Sequence, residues 1–86
     1  MPKLIKCDGS VESLPDASLE TLKQAVGGYI EAVPLNEGRY LIVNEDGLAL
    51  ELPHNLMATT LMHMAGHHPT SSISGDAVLC EPGEIS

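Results

Sequence analysis

The sequence contains no phenylalanine and no tryptophan, and Tyr29 and Tyr40 are its only aromatic residues. Aromatic side chains supply much of the buried area of small cores, so the core of this 86-residue chain must be aliphatic and thin. Apolar residues make up 43% of the chain, which is enough for a folded domain. We predict a single small α+β domain over residues 1–81 and a frayed C-terminal tail over residues 82–86. Because thin cores gain stability from association, we also expect a homo-oligomer.

Basic residues are scarce as well: four Lys and Arg stand against twelve Asp and Glu, and the net charge is −8. Such a surface repels phosphate groups, so we expect no nucleic-acid partner and no membrane partner. The acidic residues are scattered along the chain rather than packed in rows. Solubility explains this composition, and an acidic decoy for a basic groove on another protein is the sharper alternative.

Long hydrophobic runs are also absent. No run approaches the roughly 20 apolar residues that span a bilayer, and the first residues do not resemble a signal peptide. We therefore expect a cytoplasmic protein, in a bacterial host cytoplasm. In that compartment Cys7 and Cys80 are expected to be reduced, buried, small hydrophobic residues, and a disulfide between terminal strands is the alternative.

Two helices are predicted from caps and periodicity. The first covers residues 18–26, where Ser18 is a candidate N-cap and Gly27-Gly28 ends the helix. The second covers residues 56–65 and is capped by Asn55. Its predicted apolar stripe, which we expect to face the core, consists of Met57, Leu61, Met64 and Ala65.

Short strands are predicted around these helices. Residues 29–35, 39–44 and 48–52 are expected to form an antiparallel meander, with the apolar run 40–43 in a central strand. Residues 73–80 form a last strand, and its edge is the predicted contact with a second copy. The predicted fold is therefore α+β, an antiparallel, mostly meander sheet with two helices packed on one face.

Four segments carry a resemblance to a known family: Val26–Glu31, Leu41–Gly47, Leu52–Asn55 followed by Ala58–Thr59, and Ile73–Val78. The Gly-Gly-Tyr-Ile-Glu junction and the Leu-Pro-x-Asn-x-x-Ala segment are the more specific parts. On these residues the chain resembles the small phage, plasmid and actinobacterial family catalogued as domain of unknown function 3846. The resemblance implies an origin in a mobile element, often a phage. It implies no activity and assigns no role to any residue.

Histidines are the first candidates for a metal site. His63 and His67 are four residues apart, which suits a metal on one helical face, and His54 and His68 are the other two imidazoles. However, Gly66 interrupts that spacing, and no Cys or carboxylate stands at a familiar ligand interval. We therefore expect no metal and no cofactor. No spaced nucleophile motif surrounds the hydroxyl groups either, so we expect a protein that is not an enzyme and has no catalytic residue.

Candidate binding residues are chosen for backbone amides, polar side chains and an adaptable methionine. Met62 lies off the predicted stripe, so it is either an exposed apolar contact or a core residue. The full set is Gly27, Gly28, Tyr29, Asn44, His54, Asn55, Thr59 and Met62.

Three functions fit these features. The first is a phage or mobile-element accessory protein that acts by stoichiometric binding and inhibits a bacterial host protein, such as a defence component. The second is an oligomeric small-ligand binder that sequesters a nucleotide signal between subunits. The third is a structural or regulatory phage protein.

Overall fold

The computed structural model describes residues 1–67 and 71–84. Five strands and two α-helices follow one another along the chain, and a 3₁₀ turn at Asn36–Gly38 separates the third and fourth strands. In chain order the elements are β1 (Lys3–Ile5), β2 (Val11–Ser13), α1 (Leu19–Val26), β3 (Ile30–Pro34), β4 (Tyr40–Asn44), α2 (Leu56–Met64) and β5 (Ala77–Cys80).

The strands form one antiparallel sheet in the order β2-β1-β5-β4-β3. Two hairpins, β1–β2 and β3–β4, are joined through β5, which pairs with β1 on one side and with β4 on the other. The predicted fold class, α+β with an antiparallel sheet and two helices, is confirmed. The predicted burial of β4 is also confirmed, since residues 41–44 are all buried.

Side chains along each strand alternate between the two faces of the sheet, and the core consists of two clusters. Leu41 and Val43 lie in the cluster that contains Ala58 and Met62 of α2. Ile42, between them, lies in the cluster that contains α1 residues. Since neighbouring residues of a strand point to opposite faces, each helix packs on its own face of the sheet. We expected a shared face. The separation explains why the apolar run of β4 has no polar alternation, because both of its sides are covered.

Residues 48–51 form turns and residue 52 lies outside any strand, so the predicted third strand of a meander at 48–52 is absent. The alternating leucines of this segment are typical of a strand with one buried face, but Leu48 is 78% exposed and Leu50 is 58% exposed. The backbone N–H of Leu50 donates to the Asp46 carbonyl oxygen at 2.8 Å, which closes the segment on itself. A Cβ at Gly47 would lie 2.5 Å from the Ser74 carbonyl oxygen, so the chain turns where only glycine fits.

The position of the last strand also differs from the prediction. β5 is the middle strand of the sheet, whereas we expected residues 73–80 to form an exposed edge. The two edges of the sheet are β2 and β3. The stretch before β5 contributes only an isolated bridge, between His54 and Ser74.

The helix termini follow the sequence signals. Ser18 caps α1 by accepting a hydrogen bond from the backbone N–H of Thr21, and Asn55 caps α2 by accepting one from Ala58. Gly27 ends α1 in the left-handed region, with φ of 79°, a conformation that favours glycine.

Both cysteines are free thiols. Ile5 lies opposite Ala77 in the β1–β5 ladder, so Cys7 and Cys80 lie beyond opposite ends of that pairing. They are too far apart along the strands for a disulfide, whose Cα atoms must lie within about 7 Å. Buried surroundings raise the pKa of the Cys80 thiol to about 11.

The C-terminal residues that the structure describes form a turn. The backbone N–H of Glu84 donates to the Glu81 carbonyl oxygen at 3.1 Å, and the Glu84 carboxylate accepts from the Glu81 N–H. The remainder of the predicted tail, residues 85–86, lies outside the described residues. No helix within residues 1–67 and 71–84 is long and apolar enough to cross a membrane.

Candidate functional site

Asn44, one of the predicted binding residues, holds the junction between α1 and β3. Its side-chain amide donates to the Val26 carbonyl oxygen at 3.0 Å, and its Oδ1 accepts from the Asp46 N–H at 2.8 Å. A Cβ on Gly28 would lie 3.0 Å from the Asn44 amide nitrogen, so glycine leaves room for this contact. The side chain is buried and satisfied by the protein itself, which leaves little for a ligand.

The two glycines beside it do not cradle an anion. The backbone N–H groups of Gly27 and Gly28 both donate to the Lys23 carbonyl oxygen, at 2.9 and 3.1 Å, and so complete the end of the helix. Tyr29 is 66% exposed, and the Lys23 ammonium lies 5.1 Å from the centre of its ring. This end of the molecule is a helix stop with a cation–π contact at the surface.

Asn55 is completely buried and fully bonded. Its Nδ2 donates to the carbonyl oxygens of Ile5, at 2.9 Å, and of Gly75, at 3.0 Å. Its Oδ1 accepts from the Ala58 N–H at 3.0 Å. One side chain therefore caps α2 and ties it to the end of β1 and to the segment before β5.

Thr59 and His54 add further contacts to those that Asn55 makes at the start of α2. The Thr59 hydroxyl oxygen accepts from the Ile73 N–H at 2.9 Å, and the side chain is buried. His54 is exposed, and its backbone forms the bridge to Ser74. The structure thus brings three predicted binding residues together, but as a set of contacts that holds the segment 73–75 rather than as a ligand pocket.

The orientation of α2 corrects the predicted stripe. Met62 is 4% exposed and belongs to the core, so of the two alternatives left open for it the structure shows the core residue. Met64 is 74% exposed and Met57 is 42% exposed, although both were expected to face the core. The buried side has helical spacing but includes two polar residues, and it consists of Asn55, Ala58, Thr59 and Met62.

The opposite side of α2, here called the outer face, is uncharged and largely apolar, and its residues are exposed except for Leu61, which is half-buried against the core. It consists of Leu56, Met57, Thr60, Leu61 and Met64. Leu56 is 71% exposed. The whole stretch from residue 52 to residue 75 contains no Asp, Glu, Lys or Arg, in a chain with twelve acidic and four basic residues. The outer face is therefore an uncharged surface on a strongly acidic protein.

A groove runs along this face. Residues 6–9, in the turn between β1 and β2, form one wall, and Leu56, Met57, Thr60 and Leu61 form the other. Its volume is about 490 Å³. The walls are held in place by the Asn55 contact with Ile5, so the groove exists without a bound partner.

Several charged residues lie at the end of the groove formed by the turn between β1 and β2. Lys6 makes an ion pair with Glu12, with 2.5 Å between Nζ and Oε2. The hydrogen bond and the charge of Glu12 raise the pKa of Lys6, and Asp8 and Asp76 add to this. Three carboxylates thus surround one ammonium, which leaves this end of the groove negative.

Cys7 lies beside the same groove as a half-buried thiol. Its Sγ donates to the Pro53 carbonyl oxygen at 3.4 Å, and its N–H donates to Asp76 Oδ1 at 3.0 Å. Burial and the neighbouring Asp76 raise the pKa of this thiol. A raised pKa keeps the sulfur protonated, which is the opposite of what a nucleophilic cysteine needs.

The histidines at the end of α2 make backbone contacts. His63 Nε2 lies 2.6 Å from the Ser71 carbonyl oxygen, and His67 Nε2 lies 2.7 Å from the Pro34 carbonyl oxygen. His68 lies outside the described residues. In the part of the chain that the structure describes, no three His, Cys, Asp or Glu side chains converge as metal ligands would. The absence of a metal stays a prediction.

The sequence reasoning missed the outer face itself. The signal was present in the charge-free stretch 52–75, and in the helical spacing of Asn55 and Thr59, which marks the inner side of α2. A search for apolar residues alone assigns the wrong side of α2 to the core, because it does not count the buried polar side chains.

Fold and surface together define a small α+β protein with an antiparallel sheet and one uncharged helix face. The chain belongs to the family described as Domain of unknown function (DUF3846), whose sequence profile matches residues 3–85. The expected family is therefore confirmed, whereas the phage or mobile-element origin stays a prediction. No curated protein and no solved structure shows detectable similarity to the chain.

Proposed function

We propose that the protein acts by stoichiometric binding to another protein, a bacterial host protein that it inhibits, and that the outer face of α2 makes the contact. One observation carries this proposal: α2 has no charged residue, and large apolar side chains lie on its exposed side as well as on its buried side. A helix that is hydrophobic all round is normally buried all round. Here one side packs on the sheet, while Leu56 and Met64 on the other side are more than 70% exposed.

The first helix, α1, has a different distribution of polar and apolar residues. On α1, Glu20 and Gln24 are exposed together with one leucine, Leu19, and the apolar residues Leu22 and Val26 face the core. That is the ordinary pattern of a surface helix. The absence of any charge on α2 is thus a local feature, and a partner that covers the outer face would explain it.

The hydrogen bonds of the polar residues favour protein binding over the sequestration of a nucleotide. Asn44, Asn55 and Thr59, which the sequence suggested as pocket residues, all bond to the protein's own backbone. The groove beside α2 is apolar along one wall and negative at one end, which suits an anionic ligand poorly. A nucleophilic role for Cys7, the thiol beside the groove, is disfavoured because burial and Asp76 raise its pKa.

The bacterial target and the mobile-element setting belong to the proposal through the family resemblance. Self-association belongs to it as well. The sheet has two edges, β2 with three residues and β3 with five, and the longer one offers an unpaired ladder to a second copy.

Affinity capture from a bacterial lysate tests the proposal with three variants of the full chain. Leu56→Gln and Met64→Gln change the outer face, and Leu19→Gln on α1, a leucine 58% exposed, is the matched control. We expect one host protein to be retained by the wild type and by Leu19→Gln, and to be lost with both α2 variants. Equal retention by all four proteins would show that the outer face is not the binding surface.

A further inference from the structure

We infer that the groove beside α2 takes an amphipathic segment of the partner, with apolar side chains against the outer face and a Lys or Arg at the end that meets Asp8. This inference rests on the proposed function, because it names the chemistry of the segment that the outer face would bind. It follows from the different character of the two ends of the groove.

The outer face, whose first part lines the groove, sets the length and pattern of the segment. The outer face spans the nine residues of α2, which is about 14 Å at 1.5 Å per residue. A helical segment of about nine residues therefore covers it, with anchors at spacings of three and four. Met57 and Met64 present flexible thioether side chains, which adapt to partners of different shape.

The turn end of the groove sets the charge of the segment. Asp8 Oδ1 accepts hydrogen bonds from both the N–H and the hydroxyl of Ser10, at 2.8 and 2.6 Å. Its Oδ2 has no hydrogen-bond partner within residues 1–67 and 71–84. The nearby Lys6 is engaged by Glu12. An Asp8 carboxylate that hydrogen bonds keep ionised, with one open oxygen at the end of an apolar groove, attracts a cation from a partner.

A second copy of this chain does not supply that cation. Its own stretch 52–75 is uncharged, and its net charge of −8 adds repulsion at the acidic turn. Its four basic residues are already engaged or partly buried: Lys3 donates to Ser13, Lys6 pairs with Glu12, Lys23 lies over Tyr29, and Arg39 is half-buried with an enclosed Nε. The occupant is therefore a different protein with a basic, apolar segment.

Selection from a random 16-residue peptide library, displayed against the immobilised full chain, tests this inference. Enriched peptides are synthesised, and their affinities are measured by fluorescence anisotropy for the wild type and three variants. Leu56→Gln disrupts the apolar wall. Asp8→Asn removes the charge, and Asp16→Asn is the matched control, because Asp16 also accepts the N–H of the residue two positions on, Ser18.

We expect enriched peptides with apolar residues at helical spacing and a Lys or Arg near one end. Their affinity should fall by about fivefold with Asp8→Asn, as for one charge-assisted contact, and stay unchanged with Asp16→Asn. Replacing the basic residue of the peptide by Gln should abolish the difference between the wild type and Asp8→Asn.

Results that contradict these expectations distinguish a failure of this inference from a failure of the proposed function. Peptides that need Leu56 but carry no basic end would overturn this inference and leave the proposed function standing. Binding of every peptide unchanged by Leu56→Gln would overturn both. A dimer in sedimentation that dissociates with Leu56→Gln would identify a second copy as the occupant and would also overturn the inference.

Discussion

The side-chain amide of Asn55 lies 2.9 Å from the carbonyl oxygen of Ile5, and this hydrogen bond joins the start of α2 to the end of β1. Immediately beyond these two residues, Lys6 and Leu56 begin the two walls of the groove. The buried amide therefore sets the spacing of the groove as well as the stability of the core.

Replacing Asn55 by alanine should cost far more than the loss of an ordinary cap. The Asn55→Ala variant loses the cap of α2 and leaves the carbonyl oxygens of Ile5 and Gly75 without this donor, so we expect a loss of about 2–4 kcal/mol in the free energy of unfolding. Ser18→Ala, at the exposed cap of α1, should cost about 1 kcal/mol. Urea denaturation measures both values, and equal losses would show that the Asn55 contacts contribute nothing beyond the cap.

The orientation of α2 is tested by two methionines. Met62→Ala removes a buried side chain and should destabilise the fold by about 2–4 kcal/mol. Met64→Ala, two residues away and 74% exposed, should change the free energy of unfolding by less than about 0.5 kcal/mol. Thermal or urea unfolding of the two variants decides the matter. A larger loss at Met64 would mean that α2 packs by the other side.

Local sequence signals were sufficient to locate the helices and the β3–β4 hairpin. Ser18, Gly27 and Asn55 act within a few residues of where they stand, and the structure confirms each of them. The place of β5 between β1 and β4 was not predictable in this way. It depends on pairing between distant parts of the chain, for which a single strand of four residues carries no signal of its partners.

Two glycines should respond differently to alanine. At Gly47 a Cβ would lie 2.5 Å from the backbone oxygen of Ser74, which cannot move without displacing the segment before β5. At Gly27 a Cβ meets nothing within 4 Å, and the cost is only that of the left-handed conformation, about 1 kcal/mol. We expect Gly47→Ala to lower the unfolding free energy at least twice as much. Similar urea midpoints for the two variants would contradict the close packing of the turn.

The Cys80 thiol should make stability fall at alkaline pH. Its pKa is about 11 in the folded chain against an ordinary value of 9.0, so the folded state holds the proton more tightly. Its contribution is complete below pH 9 and is lost as the pH rises towards 11. In reducing buffer, the loss of stability over this range should be smaller for Cys80→Ala than for the wild type. Parallel curves would show that the thiol is not buried.

The predicted site residues were chosen for their chemistry, and most of them have structural roles. Asn44, Asn55 and Thr59 are polar groups at element ends, where backbone groups need partners, and the fold uses them for that. From sequence alone, such residues look the same whether they bond to the backbone or to a ligand. The exposed residues Leu56 and Met64 look like core residues until the helix is placed on the sheet.

The central claim is that the outer face of α2 binds a host protein in fixed proportion. Calorimetric titration of the captured host protein with the full chain tests it most directly. We predict saturation at a fixed whole-number ratio, affinity reduced at least about tenfold by Met64→Gln, and no change with Leu19→Gln. Inhibition of the host protein far below equivalence, or full affinity in the Met64→Gln variant, would contradict the claim.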